Sequence, residues 1–313
     1  MPNPDRGGRM HIWHLKSPFR QMVEKHRTES LMALGVPVPA MSDTYSKNMP
    51  RNEAEAERLN EQFELTTQNI GYMIHPEISA TLPPTARIAD IATGTGIFLQ
   101  KIAELYPKAT LHGSDISTAL FPAAFSLPPN VQLFPLNVLE PVPEHLVGTY
   151  DLVHVRLIVA GLLPTSWSGV VQNLCRLLKP GGAMQWEECN FGSAWHLRGD
   201  ANTTCSAARR LSKLFRDGIG EQLRHGWDSL EQNMVSAGLV NVGHDIVSSD
   251  RVPETRKAVS KNGMVALLSF ARNRGGIPPE ELEYVAKQAY KDIDSGCYVR
   301  YDTHIFWGFK PEK

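Results

Sequence analysis

The sequence predicts a doubly wound, mostly parallel α/β sheet, with a helical layer ahead of it and a helical lid over its cleft. Three observations carry this. Between residues 85 and 190, short apolar runs alternate with segments of helical period, the pattern of parallel strands joined by crossover helices and covered on both faces. The first of these runs leads into Gly94-Thr95-Gly96, a turn that lets the backbone approach a ligand at the carboxyl end of a strand. With 313 residues, 42% hydrophobic and 21% charged, the chain can bury one large core with a cap.

Residues 1–82 read as an N-terminal helical segment covering the cleft. Up to about residue 50 the chain is mixed and proline-bearing, and "NEAEAERLNEQFELTTQNIGYMI" then turns helical. Leu59, Phe63, Thr66 and Ile70 share one face of that helix, while Arg58, Gln62 and Asn69 form a polar stripe. Pro83 and Pro84 end the layer. Residues 83–313 carry the sheet, with "RIADIAT", "TLHGSDI", "VQLFPLN", "YDLVHVRLIV" and "AMQWEEC" as strands. "GIFLQKIAELYP", the short "FPAAFSLP" and "WSGVVQNLCRLLKPGG" lie between them. Right-handed crossovers then place a ligand cleft at the carboxyl ends of the strands.

Further on the rhythm loosens. Residues 198–226 read as helical, and "WDSLEQNMVSAGL" as an amphipathic helix with Trp227, Leu230, Met234 and Ala237 inward. "VNVGHDIVSSD" reads as a strand, 254–295 as two helices parted by "RGGIPP", and "CYVRYDTHIFWGFKP" as one long alternating strand. The insertions at about 195–226 and 254–295 fall between sheet strands, which predicts a lid rather than a separate domain.

Composition removes several classes of function. A formal net charge of −1 and the lack of a long basic run give no footprint for nucleic acid or an anionic membrane. Cys175, Cys189, Cys205 and Cys297 are widely spaced, without a CxxC pair or a neighbouring histidine cluster, so no metal site is expected. The start of the chain, broken by Pro, Gly and charges, has no signal-peptide core, and no segment approaches membrane-spanning length. The expectation is a reduced, cytoplasmic protein with a small-molecule partner; its oligomeric state is not legible.

The glycine turn narrows the ligand. A dinucleotide fingerprint asks for a third glycine three residues after the second, and Leu99 stands there. An acidic residue about 20 residues on, suited to ribose hydroxyls, is present as Asp115. The site is therefore suited to a nucleoside without a pyrophosphate. No Lys-Ser or Lys-Thr follows the glycines, which excludes a P-loop, and no YxxxK spacing supports a nicotinamide enzyme.

Taken in order, Asp-x-Ala-Thr-Gly-Thr-Gly (Asp90 to Gly96), "GSDIS" (Gly113 to Ser117), "YDLVHVR" (Tyr150 to Arg156) and "LLKPGG" (Leu177 to Gly182) resemble class I methyltransferases that use S-adenosylmethionine. With "RLNEQ" and "HPEI" ahead of them, the set is similar to small-molecule methyltransferases of fungal secondary metabolism, a group that shades into regulator-like homologues. The resemblance covers roughly 55–190 and implies a Rossmann-like methyltransferase fold.

It also implies roles for particular residues. The turn Asp90, Ala92, Thr93, Gly94 and Gly96 would hold the amino-acid half of the cofactor, with Asp90 acting on its ammonium or merely capping the turn. Asp115 would accept from the ribose hydroxyls, cap the short helix after it, or do both. Ile116, with Asn137 and Val138, would edge the adenine, and a plain core role serves Ile116 and Val138 equally. Tyr45 and Tyr72, in a layer with Arg58 and Gln62, would flank the sulfonium or simply pack.

Among catalytic candidates, His154 would contact or deprotonate the acceptor, or else be a satisfied structural histidine. Arg156 would hold an acceptor carboxylate or pair internally with Glu187 or Glu188, two residues expected to point into the same cleft. Met264, Phe270, Tyr298, Phe306 and Trp307 suit an apolar acceptor or ordinary packing. The expected reaction is transfer of a methyl group from S-adenosylmethionine to a small, apolar natural product, with O favoured over N or S. The alternative is a cyclase or regulator that binds the cofactor without methylating.

Overall fold

The computed structural model describes residues 45–46, 49–219 and 226–313, all within one compact unit, Ser42–Lys313. The expectation for the chain ahead of Tyr45 lies outside the described residues.

A seven-stranded sheet runs in the order β3-β2-β1-β4-β5-β9-β7. Its strands are β1 (Arg87–Ile91), β2 (Thr110–Asp115), β3 (Val131–Pro135), β4 (Tyr150–Arg156), β5 (Leu178–Cys189), β7 (Val240–Ser248) and β9 (Asp302–Phe309). Strands β1 to β5 pair in parallel, and the order reverses between β1 and β4, which opens the expected cleft at their carboxyl ends.

Two-residue alternation sorts the strands onto two apolar cores. Ala89, Ile91, Val153, Val155, Met184 and Trp186 face one side, with α4 (Trp167–Cys175) and α6 (Leu230–Ser236). Ile88, Leu152 and Ala183 face the other, against α1 (Glu53–Ile70), α2 (Pro76–Ser79) and α3 (Ile97–Leu105). Asn52 caps α1 by accepting from the Glu55 N–H at 3.0 Å, and Gly71 ends it in the left-handed region at φ 95°.

Two expectations from the later chain need correction. The closing segment is not one strand: it breaks at Tyr301 into β8 (Cys297–Arg300) and β9. β9 inserts antiparallel between β5 and β7, while β8 pairs with β6 (Trp195–Arg198) in a separate two-stranded sheet. The stretch from 198 is helical only as α5 (Ser206–Ile219) within the described residues. Helices α5, α7 (Arg256–Arg274) and α8 (Pro279–Asp294) share a third core with β8, built on Ala208, Met264, Leu268, Val285, Ala289 and Cys297.

Two residues of the polar stripe of α1, Arg58 and Asn69, are buried, while Gln62 is half-buried. Arg58 and Asn69 bond to Asn262 and Thr255, the first within α7 and the second just ahead of it. Among the described residues no helix is long and apolar enough to cross a membrane.

Candidate functional site

The turn after β1 combines positive φ at Ala92 (56°), Gly94 (54°) and Gly96 (72°). Ala92 is strained there, as is Leu157 (55°) just past β4, and both line one cleft. A Cβ on Gly94 would meet nothing closer than Leu59 at 4.0 Å, so its left-handed backbone faces open space. A Cβ on Gly113 would lie 2.4 Å from Leu133 and 3.0 Å from Leu99. Leu99, at the absent third glycine, therefore fills the room between helix and strand, and a glycine in β2 makes that possible.

The cleft spans about 1210 Å³, the open solvent at its mouth included. Tyr45, Asp90, Ala92, Thr93, Gly94, Asp115, Ile116, Asn137 and Val138 all line it, as do His154 and Arg156. Gly96 stands behind the wall as the N-cap of α3, which has no side-chain cap at its first turn. At the end of β2 Asp115 accepts from the Gly94 N–H and the Ser117 N–H, each at 3.1 Å, so it ties the glycine turn to its own loop. Asn137 accepts from the Leu139 N–H at 3.1 Å. The Tyr45 hydroxyl donates to Glu55 at 2.7 Å, and burial, with Glu55 beside it, holds it in the phenol form. Tyr72 does not line the cleft; it lies edge-on to His75 and donates to Asp245 at 3.4 Å.

Strand register puts four charges side by side beneath the cleft. Asp90 of β1 stands opposite His154 of β4, and Arg156 opposite Glu187 of β5. Asp90 accepts from Thr93 Oγ1 at 2.6 Å and lies 2.7 Å from His154 Nδ1. The Nε2 of His154 faces Glu187 at 3.6 Å, and its ring stacks on Phe98 with centroids 3.7 Å apart. Arg156 Nε lies 2.5 Å from Glu187 Oε2, off the N–H axis, as an ion pair rather than a hydrogen bond. Its guanidinium also donates to Thr67 Oγ1 at 3.1 Å and lies over the Phe63 ring.

Burial opposes charge on both His154 and Glu187, yet the partners prevail. Hydrogen bonding and attraction to Asp90 and Glu187 raise the His154 pKa, while Arg156 and His154 pull Glu187 down to about 2. His154 thus lies between two carboxylates that favour its protonated form. His154 is engaged by Asp90 through Nδ1, and Arg156 pairs internally with Glu187. Glu187 does not line this cleft; its side chain is fully buried.

Glu187 and Glu188 do not share a cleft. Adjacent strand residues point to opposite faces, and Glu188 goes with Trp186, whose Nε1 donates to it at 2.9 Å, alongside the Ile158 N–H at 3.0 Å. Burial raises Glu188 to about 8, so it is a protonated acid at neutral pH.

A second cavity of about 1300 Å³ adjoins the cleft. Tyr45, Leu59, Gln62, Thr66 and Leu157 line both. Of the apolar lid residues named from sequence, Phe270 lines it, whereas Met264 and Phe306 are core, Trp307 stacks on His75 and Tyr298 packs under Arg256. His196, Ser212, Phe215, Arg216 and Tyr301 also line it and carry no motif. Only their arrival from β6, α5 and the β8–β9 break brings them together.

A family model described as a methyltransferase domain matches residues 88–182. The chain is 41% identical over 174 residues to methyltransferase grgD of a Penicillium species, covering 52% of this chain and 58% of that protein. It is 25% identical over 280 residues to N-methyltransferase gliN of Aspergillus fumigatus, covering 83% and 94%. Phosphoethanolamine N-methyltransferase 2 of Haemonchus contortus, solved with S-adenosyl-L-methionine, is similar at TM-score 0.43 and 15% identity, covering 72% of this chain and 49% of that one. The matched residues 88–182 hold the glycine turn, Asp115 and the strands that carry His154 and Arg156, so the site lies within the stretch that matches the methyltransferase-domain model.

Proposed function

We propose that the chain transfers a methyl group from S-adenosylmethionine to a small, mostly apolar molecule of secondary metabolism. The observation that carries this is the pair of adjoining cavities: one built around the glycine turn and Asp115, the other apolar, with a common wall. Bound there, the cofactor supplies an electrophilic methyl on a sulfonium. The backbone at Gly94 and the uncapped first turn of α3 suit its carboxylate, and Asp115 suits its ribose hydroxyls. Tyr45, on the common wall, is suited to face the sulfonium. Asp90 acts through His154 and Thr93, ordering the turn.

Alignment supplies most of the acceleration, up to about 7–11 kcal/mol in favourable intramolecular cases. In this reading α5, α7, α8 and the β6–β8 pair act as the lid that protects alignment. The relatives named N-methyltransferases bring nitrogen forward as the acceptor atom, beside the oxygen favoured from sequence.

Incubation with methyl-labelled donor and a small-molecule extract of the protein's own source is expected to yield one labelled product, whose methyl carbon shift tells N from O. Binding of the donor with no demethylated product from any acceptor would favour a regulator or cyclase instead. Asp115→Ala is expected to cost about 1–3 kcal/mol of donor affinity in a folded protein, read by calorimetry. Unchanged affinity would leave the carboxylate as an ordering group for its turn.

A further inference from the structure

The second cavity has a definite chemical character. Its wall is largely Phe191, Phe215, Phe270, Leu267, Val259 and Val299, and none of its lining residues among those described is Asp or Glu. Its two arginines are engaged elsewhere. Arg58 is held by Glu55 at 2.6 and 2.8 Å, and Arg216 donates to the Ala194 carbonyl at 2.8 Å while lying over Trp195. An acceptor anion finds little to pair with there, whereas a neutral ring system finds apolar contact on several sides.

Within that wall His196 is the one histidine, and it is rigidly held. It sits on β6 opposite Val299 of β8, and its carbonyl accepts from Arg209 Nε at 2.9 Å. Its Nδ1 lies 2.9 Å from Ser212 Oγ, and no other described residue bonds Nε2. Burial, then Arg216 and Arg209, outweigh the pull of Asp292 and lower its pKa to about 4. His196 is therefore a neutral imidazole at physiological pH, its pKa shifted in the opposite direction from that of His154.

We propose that the second cavity binds the acceptor as a neutral, ring-bearing molecule with an N–H or O–H, and that His196 Nε2 receives that hydrogen bond and then its proton. This rests on the methyl-transfer reading above. With Nδ1–H donating to Ser212, the lone pair of Nε2 is left for the acceptor. The acceptor's N or O lone pair forms the new bond to carbon, and the S–CH₃ bond breaks with its electron pair going to sulfur. The proton leaves the newly cationic N or O for Nε2 and later passes to solvent. A nitrogen or oxygen that has just gained a methyl is far more acidic than before, so an imidazole of lowered basicity suffices. The Tyr301 phenol, held protonated by burial, offers a donor to a carbonyl on the same molecule.

The test uses the full chain saturated with S-adenosylhomocysteine and three probes of one ring system: 2-naphthol, naphthalene and 2-naphthoate. Naphthol is expected to bind at least about tenfold more tightly than naphthoate, the size of one hydrogen bond and a desolvated charge. His196→Phe, which keeps a ring in place, is expected to weaken naphthol about tenfold, leaving naphthalene and S-adenosylhomocysteine unaffected. Nitrogen-labelled histidine spectra are expected to show His196 neutral at neutral pH with its proton on Nδ1. With the acceptor recovered from the extract, the same variant is expected to slow single-turnover methyl transfer by about 10²-fold or more.

Preference for naphthoate, no naphthol binding up to its solubility, equal loss of naphthol and naphthalene, an imidazolium at neutral pH, or an unchanged transfer rate would each overturn the proposal. If the parent chain fails to bind S-adenosylhomocysteine, it is the donor reading that falls, an outcome separate from all of these.

Discussion

Glu187→Gln is expected to lower folding stability by about 3–5 kcal/mol, the cost of leaving a buried charge without its partner. Glu187 is fully buried, within 2.5 Å of Arg156 Nε and 3.6 Å of His154 Nε2, and accepts from Gln185 Nε2 at 2.7 Å. Its loss leaves the nearly buried Arg156 guanidinium without its carboxylate and takes one of the two acidic neighbours from His154. His154 can shed its proton in response; Arg156 cannot. The double change Glu187→Gln with Arg156→Met removes both members of the pair and is expected to recover much of the loss, a coupling that denaturant unfolding of the parent, both singles and the double reads directly. Strictly additive losses would mean that the pair is not coupled and that the four groups do not act as one unit. Donor binding should follow stability here, because Asp90 reaches the glycine turn through Thr93 and the charge set through His154.

The second large effect is a pH dependence of opposite sign from its neighbour. Glu188 has a folded-state pKa of about 8 against an ordinary 4.5, because burial disfavours its charged form more than Trp186 and the Ile158 and Val159 N–H groups favour it. A raised folded pKa gives stability that is complete below the unfolded value and is lost as pH rises through the folded one. Between about pH 4.5 and 8 this single group should therefore lower stability by about 1.4 kcal/mol per pH unit. Glu187, depressed to about 2, contributes the reverse: its share is complete above 4.5 and is lost as pH falls towards 2. The two windows do not overlap. Glu188→Gln keeps the shape and the acceptor oxygen for Ile158 and Trp186, and is expected to flatten the upper window and stabilise the protein at pH 8. Denaturant midpoints from pH 5 to 8.5 measure it, and parallel slopes in parent and variant would refute it.

What the sequence determined by itself is the part set by short range and period. Alternation of apolar runs with helical ones specifies parallel strands, and a glycine pair after the first of them specifies a left-handed turn, whatever lies across from it. The acid at the end of β2 stands where a period-two strand delivers it, so Asp90, Gly94 and Asp115 could be named with their neighbours before any coordinates. The two glutamates show the same rule applied too loosely: adjacent residues on a strand cannot share a face, and that signal was present in "AMQWEEC" itself.

Only the tertiary structure decided charge state and company. His154 and His196 are both buried histidines, yet one lies between two carboxylates and the other beside two arginines, so the pKa of one is raised and that of the other lowered. The partners of His154 come from other strands, those of His196 from the helix that follows it, and a pKa depends on what surrounds the group in space. The reversed strand β9 and the apolar cavity were hidden for the same reason. One break at Tyr301 sends β8 to pair with β6 and β9 into the sheet, and each half is stable there because of segments it meets only after folding.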